Sequence, residues 1–225
     1  MIPRAEFTGL ILAGGLARRM QGTGLRVPSG QTNQHSAMPG FSAEREKGLA
    51  LLRGEPLVAH ACRALAPQVD RVLISANRHT EQYSRYGQVI SDDPGLGTDL
   101  GPLAGVAQGL ATITSAWLAV MPVDVLGIPA DMVARLSDGA TRHGAHAAYA
   151  VSLVGQSARA HPLCMIVHRS MAADLQAFLQ AGDRKVFMWM SRISAVPVHF
   201  EDNDQAFANI NTLDDLEKAN RLCSR

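Results

Sequence analysis

Four short segments carry residue types that can handle a phosphate. The first is Leu12-Ala13-Gly14-Gly15-Leu16-Ala17-Arg18-Arg19-Met20, at the end of the apolar run 8–13. Paired glycines let a backbone turn sharply and approach a ligand, and free N–H groups there can face an anion. Arg18 and Arg19 supply charge of the kind that pairs with phosphate. The spacing is neither GxGxxG nor GxxxxGK[ST], so neither a dinucleotide fingerprint nor a Walker loop is indicated. A tight turn with solvated arginines fits the pattern equally well.

The second segment is Glu46-Lys47-Gly48-Leu49, followed by Leu52-Arg53-Gly54-Glu55-Pro56-Leu57. Lys47 could neutralise a triphosphate, or be a solvated lysine. The third is Met121-Pro122-Val123-Asp124, where an apolar run ends on a carboxylate. Magnesium is held by one or two carboxylates plus substrate phosphates, so Asp124 alone can suffice; its other reading is a cap on the next turn. Asp92-Asp93 is a similar case. The fourth is a set of polar turns: Asn77-Arg78, Gly101 to Gly105, Arg159 with His161-Pro162, Gly182 to Val186, and Asn209 to Thr212. His161 reads as a base, a ligand or a structural histidine. No HxxxH pair occurs, and Ser75 and Cys164 have no evident base partner, so neither a zinc site nor a protein nucleophile is indicated.

The elements that must position these residues alternate. Apolar runs at 8–13, 71–76, 117–121, 147–153 and 163–167 lack polar alternation, as expected of strands buried on both faces. Helical segments are expected at 56–66, 102–112, 130–143, 169–181 and 213–222. Pro102 suits a first helical position, and Thr212 with Asp215 forms a capping box in which Asp replaces Glu. Strands alternating with helices imply an α/β fold with a mostly parallel central sheet covered on both faces, and ligands on such sheets bind beyond the carboxyl ends of the strands. Segment 21–46 breaks the rhythm. Fifteen of its 26 residues are Gly, Pro, Ser, Gln, Thr or Asn, which reads as a flexible surface insertion.

Composition narrows the function. A chain of 225 residues that is 47% hydrophobic and 18% charged can fold as one domain, 1–225, without disulfide staples. A net charge of +1 gives no global field for nucleic acid or a membrane surface. Three scattered cysteines exclude a disulfide framework. No apolar run reaches transmembrane length and no convincing signal peptide is present, so a cytoplasmic protein is expected.

In order, these motifs resemble those of the bacterial molybdenum cofactor guanylyltransferases, from about residue 10 to 222. The resemblance rests on LAGGLARRM, KGL with LRGEPL, SANR, GPLAG, P-V-D, RAHP, GDRKV and NINT. The opening LAGG…RM…K is shared by nucleotidyltransferases of several substrate classes; the later motifs are narrower. The resemblance implies a Rossmann-like three-layer sandwich and a magnesium-dependent reaction. GMP passes from GTP to the terminal phosphate of molybdopterin, releasing pyrophosphate and forming the guanine dinucleotide cofactor. Carried over by position, Leu12, Ala13, Gly14 and Gly15 hold the nucleotide through backbone groups. Lys47 contacts phosphate, Asn77 and Asp92 lie beside the nucleotide, and Asp124 binds Mg²⁺; the charge neutralisation that the reaction needs could come from magnesium on Asp124, from Lys47 and from the Arg18–Arg19 pair, Arg19 being the candidate catalytic arginine. Arg159, His161, Arg184, Lys185, Asn209 and Asn211 fall on the pterin side. Partners are then GTP and Mo-molybdopterin, with transient contact to molybdoenzymes or other cofactor-synthesis proteins, and neither nucleic acid nor membrane.

The chain departs from the family pattern at four places. The insertion 21–46 separates the arginines from Lys47, Glu46 replaces an Asp, Val123 replaces a Cys, and Ser75 stands where relatives carry an Asn. Two alternatives follow: a cytidylyltransferase acting on the same pterin, or a non-catalytic pterin-cofactor carrier.

Overall fold

The computed structural model describes residues 2–14, 46–96, 101–154, 157–201 and 206–221. Gly15, Arg18, Arg19, Met20, Cys223 and all of 21–46 except Glu46 lie outside them.

In chain order the elements are β1 (Phe7–Leu12), β2 (Leu51–Leu52), β3 (Glu55–Pro56), α1 (Leu57–Leu65), β4 (Arg71–Ser75), α2 (Thr80–Tyr83), β5 (Gln88–Ile90) and α3 (Pro102–Thr112). They continue with β6 (Trp117–Pro122), β7 (Val125–Leu126), α4 (Met132–His143), β8 (Ala147–Val154), β9 (Ser157–His168), α5 (Ala172–Gln180), α6 (Val186–Arg192), β10 (Val196–Phe200), β11 (Ala208–Asn209) and α7 (Leu213–Arg221). Seven strands form one sheet in the order β10-β8-β9-β6-β1-β4-β5. β1 pairs in parallel with β4 and β6, as do β4 with β5 and β8 with β10. β9 runs antiparallel to both β6 and β8. The sheet is therefore mostly parallel, with β9 reversed.

Both faces of the sheet are apolar because both are covered. Phe7 and Ile11 of β1, with Trp117, Ala119 and Met121 of β6, join a core with α1, α4 and Leu216 of α7. Leu10, Leu118 and Val120 point the other way, into a core with α3, α5 and α6. The period-2 alternation of a strand thus feeds two hydrophobic layers, which is why the runs show no regular polar alternation. Val123, standing where a Cys is usual, is buried in the first core.

Three elements correct the sequence expectation. Arg159, His161 and Pro162 lie inside β9 and not in a turn. Pairing there slips between Tyr149 and Ala150, so Pro162 falls at an irregularity where its missing N–H breaks no ladder bond. Residues 186–192 form α6, a helix not expected, directly after the polar turn at 182–185; Trp189 is fully buried and its indole donates to Asp174 of α5 at 3.0 Å. Residues 196–200 add the edge strand β10.

Candidate active site

The chain runs from β1 out to β4 and β5 on one side and returns to β6 on the other. The crevice between β1 and β6 is therefore the topological switch point, the place where open parallel sheets bind ligands. Backbone bonds tie the loops at this edge together. Val123 N donates to Leu12 O at 3.1 Å, and Ala13 N and Gly14 N both donate to Ser75 O at 2.9 Å. Ala76 N reaches Ile90 O at 3.0 Å. Ala13 and Gly14 thus stand with their backbone pinned by β4.

The segment Ser75-Ala76-Asn77-Arg78 is fully engaged. Ser75 holds the glycine turn, and the Ala76 carbonyl accepts from Ser91 Oγ at 3.1 Å. Asn77 Nδ2 donates to Asp92 Oδ2 at 2.8 Å, and Asp92 N donates back to Asn77 Oδ1 at 2.9 Å. Asn77 and Asp92, both expected beside the nucleotide, are thus one unit bridging the ends of β4 and β5. Arg78 donates to Glu46 at 2.8 Å. Gly105, on the first turns of α3, lies against Leu12 and Ser75: an added Cβ would meet Leu12 Cδ2 at 3.0 Å and collide with Ser75 Oγ. Only a residue without a side chain lets α3 lie this close to the glycine turn.

Lys47 opens a single 3₁₀ turn, Lys47–Leu49. Its ammonium donates to Asp124 Oδ2 and, at 3.4 Å, to Asn211 Oδ1. Asp124 follows β6, and its carbonyl accepts from Ile210 N at 2.9 Å. β11 pairs antiparallel with β7, carrying Asn209 to Val125. Asn209-Ile210-Asn211-Thr212 therefore packs directly on the Asp124 loop, and Asn211 belongs with the Lys47–Asp124 pair. Asn209 Oδ1 is buried with no hydrogen-bond partner among the described residues. The segment is fixed from its other side by the capping box: Asp215 accepts from Asn211 N at 3.0 Å and Thr212 N at 2.9 Å, and Asp215 N donates to Thr212 Oγ1 at 3.1 Å.

His161 is 7% exposed, shares a 2.7 Å hydrogen bond with Ser152 and stacks on Phe207 at 4.9 Å. Burial, with the Arg159 charge adding to it, brings its pKa down to about 4. That makes it a neutral structural imidazole at pH 7. The Cys164 thiol is pushed up by burial and then by Asp124, so it is an inert core group. Arg184 spends its guanidinium on the carbonyls of Leu179 (3.0 Å) and Asp183 (3.3 Å), closing the end of α5. Among the described residues, Arg159 and Lys185 form no hydrogen bond or ion pair with Lys47 or Asp124.

Sequence reasoning missed the Glu46–Arg78 pair and the packing of Tyr83 on Gly48. The only signal was that Glu46 and Arg78, opposite in charge, each adjoin a candidate residue, Lys47 and Asn77. A groove of 280 Å³ between α4 and β10, lined by Arg135, Arg142, His143 and His199, lies on the far edge strand and shares no residue with this set.

The described residues contain no cluster of three or more His, Cys, Asp or Glu side chains that could cage a metal. A lysine, one carboxylate, a pinned glycine turn and an Asn–Asp unit converge at a parallel sheet's switch point. That is the equipment of an α/β enzyme handling a nucleoside triphosphate. The model of the MobA-like NTP transferase domain matches residues 9–196, and the chain belongs to this family. A molybdenum cofactor guanylyltransferase from Burkholderia ambifaria is 37% identical over 221 residues, covering 95% of each chain. One from Shewanella halifaxensis is 36% identical over 210 residues, covering 92% of this chain and 90% of its own. Among solved structures, molybdopterin-guanine dinucleotide biosynthesis protein A from Archaeoglobus fulgidus superposes with a TM-score of 0.67 at 21% identity, over 96% of this chain and 98% of its own. A putative glucose-1-phosphate thymidylyltransferase from Bacillus anthracis gives 0.69 at 12% identity, over 96% of this chain and 94% of its own. These structures share the fold.

Proposed function

We propose that the protein transfers GMP from GTP to the terminal phosphate of Mo-molybdopterin, forming the guanine dinucleotide cofactor and releasing pyrophosphate. The observation that carries this is the Lys47–Asp124–Asn211 set at the switch point of a chain with guanylyltransferase relatives along nearly its whole length. An oxygen of the pterin phosphate, already ionised near pH 7, forms the new bond to the α-phosphorus. The bond from the α-phosphorus to the bridging oxygen breaks, and pyrophosphate leaves with that electron pair. No protein nucleophile is required. The protein must hold two anions in line and neutralise the charge that develops.

Lys47 is the described cation placed to meet the triphosphate. The backbone of Leu12, Ala13 and Gly14, pinned to Ser75 and Val123, sets the course of the glycine turn beside the nucleoside, with Gly15 and Arg19 following in sequence. Asn77 and Asp92 border it on the β4–β5 side. The donor set suits a magnesium ion shared with substrate phosphates and not a protein cage, since Asp124 is a single carboxylate, 20% exposed. Asp124 would hold that ion, which would supply charge neutralisation at the phosphates. A cytoplasmic location belongs to the same reading; Cys62 and Cys164 are free thiols, and no helix among the described residues is long and apolar enough to cross a membrane.

The test is incubation of the purified protein with Mg²⁺, molybdate-loaded molybdopterin and GTP, CTP or ATP. Guanine dinucleotide formed from GTP alone supports the proposal. Product from CTP moves the chain to cytidylyl transfer, and binding without pyrophosphate release moves it to a carrier role.

A further inference from the structure

Resting on the assignment of Lys47 to phosphate, we infer that the Glu46–Arg78 ion pair sets Lys47 at the sheet's carboxyl edge. Glu46 and Arg78 are then positioning residues for nucleotide binding. Glu46 immediately precedes Lys47. Its side chain is 3% exposed, whereas that of Arg78 is 48% exposed, and the two meet at 2.8 Å. Arg78 ends the turn that already fixes the glycine loop through Ser75 and Asp92 through Asn77. The ion pair therefore ties Lys47 to the frame that positions the rest of the site.

Two further contacts complete the seat. Leu49 N donates to the Glu46 carbonyl at 3.1 Å, closing the 3₁₀ turn. Gly48 is buried with its Cα against Tyr83; a Cβ there would lie 3.1 Å from the ring carbon Cε1 and closer still to the hydroxyl. The turn is thus held on both sides of the lysine. Lysine is a point charge on a flexible four-carbon stem, so where its ammonium stands depends on where its backbone is fixed.

A role in stability alone accounts poorly for this pair. Burial raises the tendency of Glu46 to take up a proton, opposed by Arg78 and then His79. Glu46 Oε1 and the Tyr83 hydroxyl are both buried without a hydrogen-bond partner among the described residues. A buried carboxylate satisfied on one oxygen is a costly way to hold a fold, and an apolar side chain would do it better. What the charge adds is direction: one oxygen bound to one guanidinium.

The experiment compares Glu46→Gln, Glu46→Asp, Arg78→Gln and the Glu46→Gln/Arg78→Gln double variant with the intact protein. Arg78 is half exposed, so its variant preserves the core even if Glu46→Gln does not fold. In guanylyl transfer, Glu46→Gln and Arg78→Gln should each raise KM for GTP about fivefold or more with kcat within about twofold. The double variant should be no worse than the worse single, because both remove one interaction. Glu46→Asp, which restores the charge on a shorter stem, should recover part of the loss. Independently of activity, trypsin should cut the Lys47–Gly48 bond about tenfold faster in Arg78→Gln, read by mass spectrometry, if local opening governs cleavage. Unchanged KM in an active preparation overturns the inference, as does unchanged cleavage at Lys47. If the intact protein transfers no nucleotide at all, the proposed function fails, and the proteolysis alone decides the seat.

Discussion

The Lys47 ammonium and the Asp124 carboxylate are 77 residues apart in sequence and form an ion pair across the crevice between β1 and β6. Their side chains are 16% and 20% exposed, so each keeps a face toward solvent. In the proposed reaction the pair would exchange partners: lysine to triphosphate oxygens, aspartate to a magnesium ion shared with them.

That exchange makes Lys47 directly testable. Lys47→Ala should lower kcat/KM for GTP at least tenfold, a loss of about 1.4 kcal/mol in transition-state stabilisation. Steady-state kinetics with varied GTP measure it. Wild-type kinetics in this variant would remove Lys47 from the site.

Asp124→Asn keeps the shape of the side chain and removes its charge. Ile210 N still finds the Asp124 main-chain carbonyl, so the β7–β11 contact should persist. The expected result is loss of Mg²⁺-dependent transfer with an unchanged circular dichroism spectrum and cooperative melting. Full activity would refute the assignment of Asp124.

Gly105 couples packing to the site. In Gly105→Ala the new methyl must displace Ser75 Oγ and Leu12, pushing α3 away from β4. Overpacking of this kind costs about 1–3 kcal/mol, and each kcal/mol lowers Tm by about 2–4 °C in a chain of this size. Because Ser75 O holds Ala13 and Gly14, KM for GTP should rise as well. A variant with unchanged melting and unchanged KM would mean that the helix has slack the structure does not show.

The capping box sets a prediction at the other end of the site. The Asp215 carboxyl is held below the usual range by the Thr212 hydroxyl and by the Asn211 and Thr212 backbone N–H groups. Asp215→Ala should cost about 1 kcal/mol, the worth of a helix N-terminal cap. The sign of its pH dependence follows. A lowered folded-state pKa contributes stability above the unfolded value near 3.9, and that contribution is lost as pH falls through the folded value. Denaturant melts should therefore show the gap between wild type and variant at pH 7 and see it close below about pH 4. A gap that persists at pH 2 would assign the effect to something other than the carboxylate.

How much of this was legible in the sequence depended on how local the signal was. Pro102 and the Thr212–Asp215 box are signals within one turn, and helices 102–112 and 213–221 begin where they indicate. Asp124 could be placed because an apolar run that ends in a carboxylate puts it at the sheet edge whatever else happens. β9 was cut short because His161-Pro162 looks like a turn, and only its partner strand shows that the proline sits at a slip in register. α6 was missed because VFMWMSR has seven residues and no polar stripe; its helix exists because Trp189 fits a pocket closed by Asp174. The Glu46–Arg78 pair spans 32 residues, a distance over which a single sequence carries no pairing signal.

His161 gives the last prediction. It is held neutral by burial, with a pKa of about 4 against an ordinary 6.5. Between those values the unfolded chain binds a proton that the folded chain refuses, so stability rises with pH across the window. Acidification from pH 7 should cost stability from about pH 6.5 down to about pH 4, where the loss levels off after at most a few kcal/mol. His161→Gln keeps a polar group beside Ser152 without titrating. It should be less stable than wild type at pH 7, through the lost stack on Phe207, and should show a flatter melting profile between pH 4 and pH 6.5. Because the imidazole serves the fold and not proton transfer, the pH dependence of kcat should be the same in both proteins wherever both are folded. A changed kcat profile would make His161 a participant in the chemistry.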